Sequence, residues 1–379
     1  MIPFNKPTIT GDEIGYIESV IKKNKCSGDG DYTRLCHKWF ADNIHCENTL
    51  LTTSCTHALE MSAILLNIQK DDEVIMPSFT FTSTANAFAI RGAKIVFVDI
   101  RPDTMNIDET KIESAITKKT KAIVPVHYAG VPCEMDTIMA LAKKHHLFVI
   151  EDAAQAILST YRGTLAGTIG DLGSFSFHDT KNIQCGEGGV LLINDPSYKE
   201  AAEILREKGT NRSRFFRGEI DKYGWVDIGS SYLPSELNAA FLYAQLQKAK
   251  PLIAERLKIW EQYHFNLKEL EDSGKISLPT IPENCTHNGH MFYIKAEDLE
   301  ERTGLIDHMK ADGIHPVFHY IPLHSSIAGK KFGMLHGADQ WTTKESERIL
   351  RLPIWNGMDA GLIKTVSDSV YAFYRHPVK

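Results

Sequence analysis

The sequence predicts an α/β protein: a large domain with a mainly parallel mixed sheet between helices, then a smaller α+β C-terminal domain. Two observations carry this. From residue 48 to about 200, short β-rich runs alternate with helical runs, and several of the strands are almost wholly apolar, as strands covered on both faces are. Beyond about residue 248 a second, shorter series of strand-like and helical segments begins. The 379 residues suffice for two such units. The divisions expected are an N-terminal arm 1–12, a large domain 13–248 and a small domain 249–379.

The elements follow from local pattern. Thr10 and Glu13 stand at capping-box spacing ahead of Ile14, Ile17, Val20 and Ile21, so a helix packed on the core is expected there. Strands are predicted at 48–54, 72–81, 94–100, 121–130 and 147–155, with helices at 55–68, 84–93, 109–116 and 135–146 between them. Strands at 171–178 and 188–195 and a helix at 198–209 complete the alternation. The stretch 210–232 has no period and reads as a long loop. A helical run from Ser235 to about Leu270, interrupted at Pro251, leads into strand-like 291–296, helical 303–313, strand-like 315–321 and a final helix.

Composition narrows the function. Lys and Arg number 42 against 48 Asp and Glu, a formal charge of −6, so no whole-molecule field attracts nucleic acid or an anionic membrane. Any anionic ligand needs a local pocket. The seven cysteines are scattered without a C-x-x-C pair, which fits a reducing compartment, and neither a signal peptide nor a long apolar run is visible. A cytoplasmic protein is expected. GDGDYT carries Thr33, and GEGGVL carries Leu191, where a dinucleotide fingerprint needs its third glycine. No phosphate loop, H-E-x-x-H helix or G-x-S-x-G elbow occurs. His315 and His319 flank the strand-like PVF rather than sharing a helical face, so no metal site is expected.

Three features at predicted strand ends carry chemistry. LFVIEDAAQ places Glu151, Asp152 and Gln155 at the edge where open α/β sheets bind ligands. SFSFHDTKN followed by CGEGGVLLI places Lys181 in a tight connection, where partial desolvation would lower its pKa and make it a nucleophilic amine. SCTHALEMSA begins an apolar helix with Ser54 or Thr56, whose free N–H groups offer a phosphate seat. Jointly these are what pyridoxal phosphate requires: a lysine for its aldehyde, an acid for its pyridinium nitrogen and a seat for its phosphate.

EDAAQ (151–155), FSFHDTKN (175–182), GEGG (186–189), PSFTFTSTANA and YLPSELNAA resemble the sugar-nucleotide aminotransferases of the DegT/DnrJ/StrS type, over nearly the whole chain. The resemblance implies an aspartate-aminotransferase-like fold, pyridoxal phosphate as cofactor, and a homodimer with composite sites. It implies Lys181 and Asp152 as catalytic residues, with Gln155 near the ring hydroxyl and Phe81 stacked on the ring. Thr56, Ser176 and the backbone of Cys55 and His57 would hold the phosphate. Many members reach into the neighbouring site with G-x-N-x-[RN]; here the segment is GSSYL, in which the Ser231 hydroxyl can still donate and Leu233 cannot.

Within the family, stretches such as RGAKIVFVD, RPDTMNIDET, EKGTNRS and FHYIPLH resemble the branch that aminates dTDP-4-keto-6-deoxyglucose with L-glutamate. Its product is dTDP-4-amino-4,6-dideoxygalactose, used for enterobacterial common antigen. Alternatives within the fold are the gluco epimer, a 3-amino product or another nucleotide. Candidate substrate contacts are Asp29 and Gly30, His178, the basic stretch with Arg212 and Arg214, and His319, Tyr320 and His324. Basic residues at 208–217 would supply the local positive charge that the acidic chain otherwise lacks. A non-catalytic relative of the fold is the remaining alternative, opposed by the joint presence of Lys181, Asp152 and Gln155.

Overall fold

A computed structural model of the chain describes residues 1–375. An eight-stranded sheet runs in the order Thr49–Thr52, Gly189–Ile193, Leu172–Ser176, Phe148–Asp152, Thr120–Ile123, Glu73–Pro77, Lys94–Val98, Gly333–Leu335. All pairings from Leu172–Ser176 through Gly333–Leu335 are parallel, and Gly189–Ile193 runs against both of its neighbours. The period-2 alternation of strands distributes the core to both faces. Val74, Met76, Ile95 and Phe97 pack with the helices Cys55–Leu65 and Thr82–Ala89. Ile75, Val96 and Val98 pack on the other face with Glu109–Ala115 and Met135–His145. Burying each such side chain is worth about 1.5–3 kcal/mol, which is why near-continuous apolar runs are selected here.

The strands and helices expected between 48 and 209 all form, with ends trimmed by a few residues. Elsewhere the structure departs from expectation. A helix Asp31–Ile44, not anticipated, carries Tyr32, Cys36, Phe40 and Ile44 on its buried face. Its N-terminus is held by Glu236, whose carboxylate accepts from the N–H groups of Gly30, Tyr32 and Thr33 at 2.9, 2.8 and 3.1 Å. A Cβ on Gly30 would stand 2.5 Å from that carboxyl carbon, so a side chain there would have to displace the Glu236 carboxylate.

The first helix, Glu13–Lys22, packs through Tyr16, Ile17 and Val20, whereas Ile14 and Ile21 are exposed, because the neighbouring helix Glu236–Gln247 meets only one side of it. Thr10 does not cap this helix through its hydroxyl. Instead Glu13 accepts from the N–H groups of Thr10 and Gly11 at 2.7 and 2.8 Å. The long helical run breaks at Lys248 rather than at Pro251, giving Glu236–Gln247 and Ala249–Asp272. Pro251 falls in the first turn of the second helix, where its missing N–H costs nothing. The 210–232 stretch contains a short helix, Arg212–Phe216.

A second sheet, Phe292–Lys295, Ile349–Leu352 and Val317–Phe318, is antiparallel and packs with the helices Ala249–Asp272, Leu299–Ala311 and Ala360–Arg375. Its neighbour in sequence, Gly333–Leu335, instead joins the edge of the large sheet beside Lys94–Val98. The N-terminal arm links the two regions. Ile2 bridges to Ile314, Asn5 donates to the Asp179 carbonyl at 3.3 Å, and Thr8 accepts from Gln184 and Gln245 at 3.0 Å each. No described helix is long and apolar enough to cross a membrane.

Candidate active site

The strand Phe148–Asp152 lies between two parallel neighbours and ends in two carboxylates that alternation sends to opposite sides. Glu151 is fully satisfied: it meets His127 Nε2 at 2.8 Å and accepts from the N–H groups of Gly167, Ile169 and Gly170 at 2.8, 2.6 and 2.6 Å. Asp152 is held more lightly, accepting from the Thr84 hydroxyl at 2.7 Å and the Ala154 N–H at 3.2 Å. Thr84 is itself bonded to Thr80 at 2.8 Å, so the carboxylate is oriented by a short hydroxyl chain from the helix Thr82–Ala89. Glu151 is therefore a structural anchor, and Asp152 is the acid with capacity to spare.

Lys181 stands in the connection from Leu172–Ser176 to Gly189–Ile193, in a turn closed by its N–H donating to the His178 carbonyl at 2.9 Å. Its Nζ has no hydrogen-bond or ion-pair partner among the described residues. Burial lowers its pKa, the charge of Asp152 opposes that, and Arg351 adds to the lowering. Its neighbour Asn182 fixes the turn by donating to the Asn288 carbonyl at 2.7 Å and meeting His290 Nδ1 at 2.9 Å.

Three strands bring the anion seat together. Register places Ser176 opposite Gly189, and Gly189 opposite Thr52, two residues before the N-cap of the helix Cys55–Leu65. A Cβ on Gly189 would lie 2.4 Å from the Cys55 nitrogen, so glycine is what lets the strand start under the helix end. Ser54 caps that helix by accepting from the His57 N–H at 3.1 Å, which leaves the first N–H groups, those of Cys55 and Thr56, facing outward. Thr56 Oγ1 donates to Ser83 Oγ at 2.8 Å, adding a second hydroxyl to the seat. The Cys55 thiol is pushed up to about 12 by burial and stays protonated.

A polar and aromatic wall faces this seat. Gln155 Oε1 accepts from the Ala129 N–H at 2.7 Å, and its Nε2 donates to the Tyr320 hydroxyl at 3.2 Å. Phe81, 57% exposed, has its ring 6.1 Å from that of Tyr320. His319 is tied to the Tyr128 hydroxyl at 3.0 Å, and burial holds its pKa well below the usual range. His324 closes the strap on the large sheet, meeting Ser78 Oγ at 2.6 Å and Asp339 at 3.2 Å. His178 lies at the rim beside Thr180 at 3.0 Å and Asp179 at 2.9 Å.

Other candidates lie elsewhere in this chain. Asp29 is engaged by Arg206 at 2.6 and 2.8 Å, and Gly30 by Glu236. The basic stretch is internally neutralised: Lys208 and Arg212 meet Glu207 at 3.2 and 3.7 Å, Arg214 meets Glu200 and Glu219 at 3.2 Å each, and Arg217 meets Glu203 at 2.8 Å. Asp29, Arg206, Arg212 and Arg217 line a cavity of about 650 Å³ whose walls include none of Lys181, Asp152, Gln155 or Thr56. Ser231 is exposed and bridges the backbone of Glu207. Sequence reasoning missed Thr84, the Asn182–Asn288–His290 clamp and Arg351. Thr84 sits inside the quoted PSFTFTSTANA motif, but its bond to Asp152 spans 68 residues and has no local signal.

Residues 7–371 match the model of the DegT/DnrJ/EryC1/StrS aminotransferase family. The chain belongs to that family. It is an aminotransferase, and its α/β architecture is the one found in that family's solved members. The GDP-perosamine synthase of Escherichia coli O157:H7 is 34% identical over 330 residues, covering 86% of this chain and 87% of that protein. The spore coat polysaccharide biosynthesis protein SpsC of Bacillus subtilis is 31% identical over 377 residues, covering 97% and 96%. Among solved structures, Spr1654 of Streptococcus pneumoniae in its PLP form superposes with a TM-score of 0.89 at 26% identity, covering 100% of both chains.

The residues present fit pyridoxal phosphate. A partly buried lysine without a partner, a carboxylate with lone pairs to spare and a helix N-terminus lined by hydroxyls lie together at the strand ends.

Proposed function

We propose that the chain transfers an amino group from L-glutamate to C4 of dTDP-4-keto-6-deoxy-D-glucose, giving dTDP-4-amino-4,6-dideoxygalactose for a bacterial surface polysaccharide such as enterobacterial common antigen. The observation that carries the transamination is the unpartnered Lys181 amine beside Asp152. The cofactor is pyridoxal 5′-phosphate, which when bound supplies an aldehyde to carry the amino group and a ring that delocalises the electron pair released next to it.

Lys181 is the residue that would hold that aldehyde. As a free amine its Nζ would take the proton from the donor Cα in one half-reaction and deliver a proton to sugar C4 in the other. The lowered pKa favours the neutral amine that this requires. Asp152, steered by Thr84, would keep the ring nitrogen protonated, and Gln155 would face the ring hydroxyl. The free N–H groups of Cys55 and Thr56, with the Thr56 and Ser176 hydroxyls, would hold the phosphate, whereas the His57 N–H is already spent on Ser54. Phe81 would cover the ring face. His178, His319, Tyr320 and His324 border the sugar.

Asp29, Gly30, Arg212, Arg214 and Ser231 act across a homodimer, from one protomer into its partner's site, because within one chain they stand apart from Lys181. A GDP-linked sugar is the second reading, favoured by the name of the Escherichia coli relative.

The test uses purified protein, which should be yellow and should retain the label at Lys181 after borohydride reduction. Incubated with L-glutamate and dTDP-4-keto-6-deoxyglucose, it should give a product with a small coupling between sugar H3 and H4. A large coupling assigns the gluco epimer, and turnover only with the GDP-linked ketosugar assigns the second reading. A colourless protein that takes up no cofactor refutes both.

A further inference from the structure

One basic side chain near Lys181 has no counter-charge. Arg351 lies on the strand Ile349–Leu352, opposite Tyr293 and Val317. Its guanidinium carbon is 4.6 Å from the centre of the Phe4 ring, so one face is stacked and the edge is left for ligands. Of its five N–H donors, one finds an acceptor among the described residues, Nη2 to the Phe318 carbonyl at 3.2 Å. Nε is buried with no partner at all. No Asp or Glu among the described residues reaches ion-pair distance; burial lowers its pKa, and the groups beside it are the neutral phenols of Tyr128 and Tyr320, the second of which is bonded to Gln155. A guanidinium desolvated in this way is costly unless an anion completes it.

The chemistry of the two substrates decides which anion. In an amino acid the α-carboxylate is bonded directly to the Cα that loses its proton, so a cation for it must stand on the wall beside the cofactor; Arg351 donates to the carbonyl of Phe318, two residues before the Tyr320 that is bonded to Gln155. In a 4-keto sugar nucleotide the diphosphate is attached at C1, several bonds from the reacting carbon, and belongs further out. The phosphate seat at Thr56 and Ser176 is built on the large sheet, whereas Arg351 comes from the small one.

We propose that Arg351 binds the α-carboxylate of the amino donor through its free edge and so presents the donor Cα to Lys181. This rests on the donor being an amino acid, as argued above.

The test uses holoenzyme. R351Q and R351K should load cofactor and melt like the parent protein. In single-turnover bleaching of the bound cofactor, R351Q should lower kcat/KM for L-glutamate by about 10- to 100-fold, the value of hydrogen bonds to a charged group, and R351K should recover part of it. With 4-aminobutyrate, which is glutamate without its α-carboxylate, parent and variant should react equally slowly. The sugar half-reaction should be unchanged.

An equal loss with both amines would make Arg351 structural, and a loss confined to the sugar half-reaction would assign it to the diphosphate. Either result overturns the proposal. A parent enzyme inert to glutamate would overturn the functional reading and this one together, whereas an active parent and an equally active R351Q overturn only this one.

Discussion

Lys295, on the small antiparallel sheet, and Lys181, on a connection of the large one, are both withdrawn from solvent, and they are treated in opposite ways. Lys295 is 4% exposed and donates to Glu345 at 2.8 Å, with the Pro102 carbonyl also taking a bond. Glu345 in turn holds Arg348 at 2.9 Å. Burial lowers the pKa of Lys295, but the Glu345 carboxylate pushes back through charge and a direct hydrogen bond. Lys181 feels Asp152 only from beyond hydrogen-bond distance, so burial is opposed by charge alone. A buried cation with a bonded carboxylate is part of the scaffold. One without is available for chemistry, and the same contrast separates Arg206, clamped on Asp29, from Arg351.

The largest effect expected is at Lys181. Lys181→Ala should reduce product formation about 10⁴-fold or more while leaving the melting temperature within a few degrees, since no bonded partner is orphaned. Retained turnover would break the comparison at its catalytic end. At the scaffold end, Lys295→Met leaves the buried Glu345 carboxylate with Arg348 as its remaining cation and should cost about 1.5–3 kcal/mol in urea unfolding. The double change Lys295→Met with Glu345→Leu should recover only part of that, because two buried charges disappear but Arg348 keeps only the Ala296 carbonyl. A loss below about 1 kcal/mol for the single change would show that the pair is not buried in solution.

A smaller effect is expected at Thr84→Val, which removes a donor to a carboxylate without changing shape. Turnover should fall about tenfold, in line with about 1.5 kcal/mol for such a bond, with stability nearly unchanged. At neutral pH the smallest effect concerns two histidines dominated by burial, whose cost appears only on acidification. Burial lowers His287 to about 4 and His37 to about 3.

A base whose folded pKa is depressed takes up its proton first in the unfolded chain, so stability is complete above about pH 6.5 and is lost as pH falls. The slope should be about 1.4 kcal/mol per pH unit for each ring between pH 6 and 4. His287→Gln should reduce it by one share, read from urea midpoints at three pH values.

Much of the cofactor side of the site was legible because its elements are local. LFVIEDAAQ is an apolar run ending in acids, and SCTHALEMSA is a capped helix start after a strand. Each declares its geometry within about ten residues. What was missed depended on distance along the chain. The helix Asp31–Ile44 has a readable four-residue spacing of Tyr32, Cys36, Phe40 and Ile44, but its N-terminus is completed by Glu236 some 200 residues later, so no capping signal precedes it. Gly333–Leu335 is too short to declare itself a strand and forms because the edge of Lys94–Val98 offers parallel partners. The basic stretch at 208–217 looked like an anion site in sequence because its counter-charges, Glu200, Glu203 and Glu219, belong partly to other elements.

By itself the sequence determined the α/β class, the alternation of the large sheet and the lysine, acid and helix start proposed for the cofactor, because hydrophobic period and capping act over one turn or one strand. Only the tertiary structure decided which carboxylate is spent on the scaffold and which is left free, and which cations are paired. Strand alternation turns Glu151 toward three backbone N–H groups and Asp152 toward Thr84, and packing places Glu345 against Lys295 and no carboxylate at hydrogen-bond distance from Lys181 or Arg351 among the described residues. Availability for chemistry is a property of what surrounds a charge, and those surroundings are assembled from segments far apart in the chain.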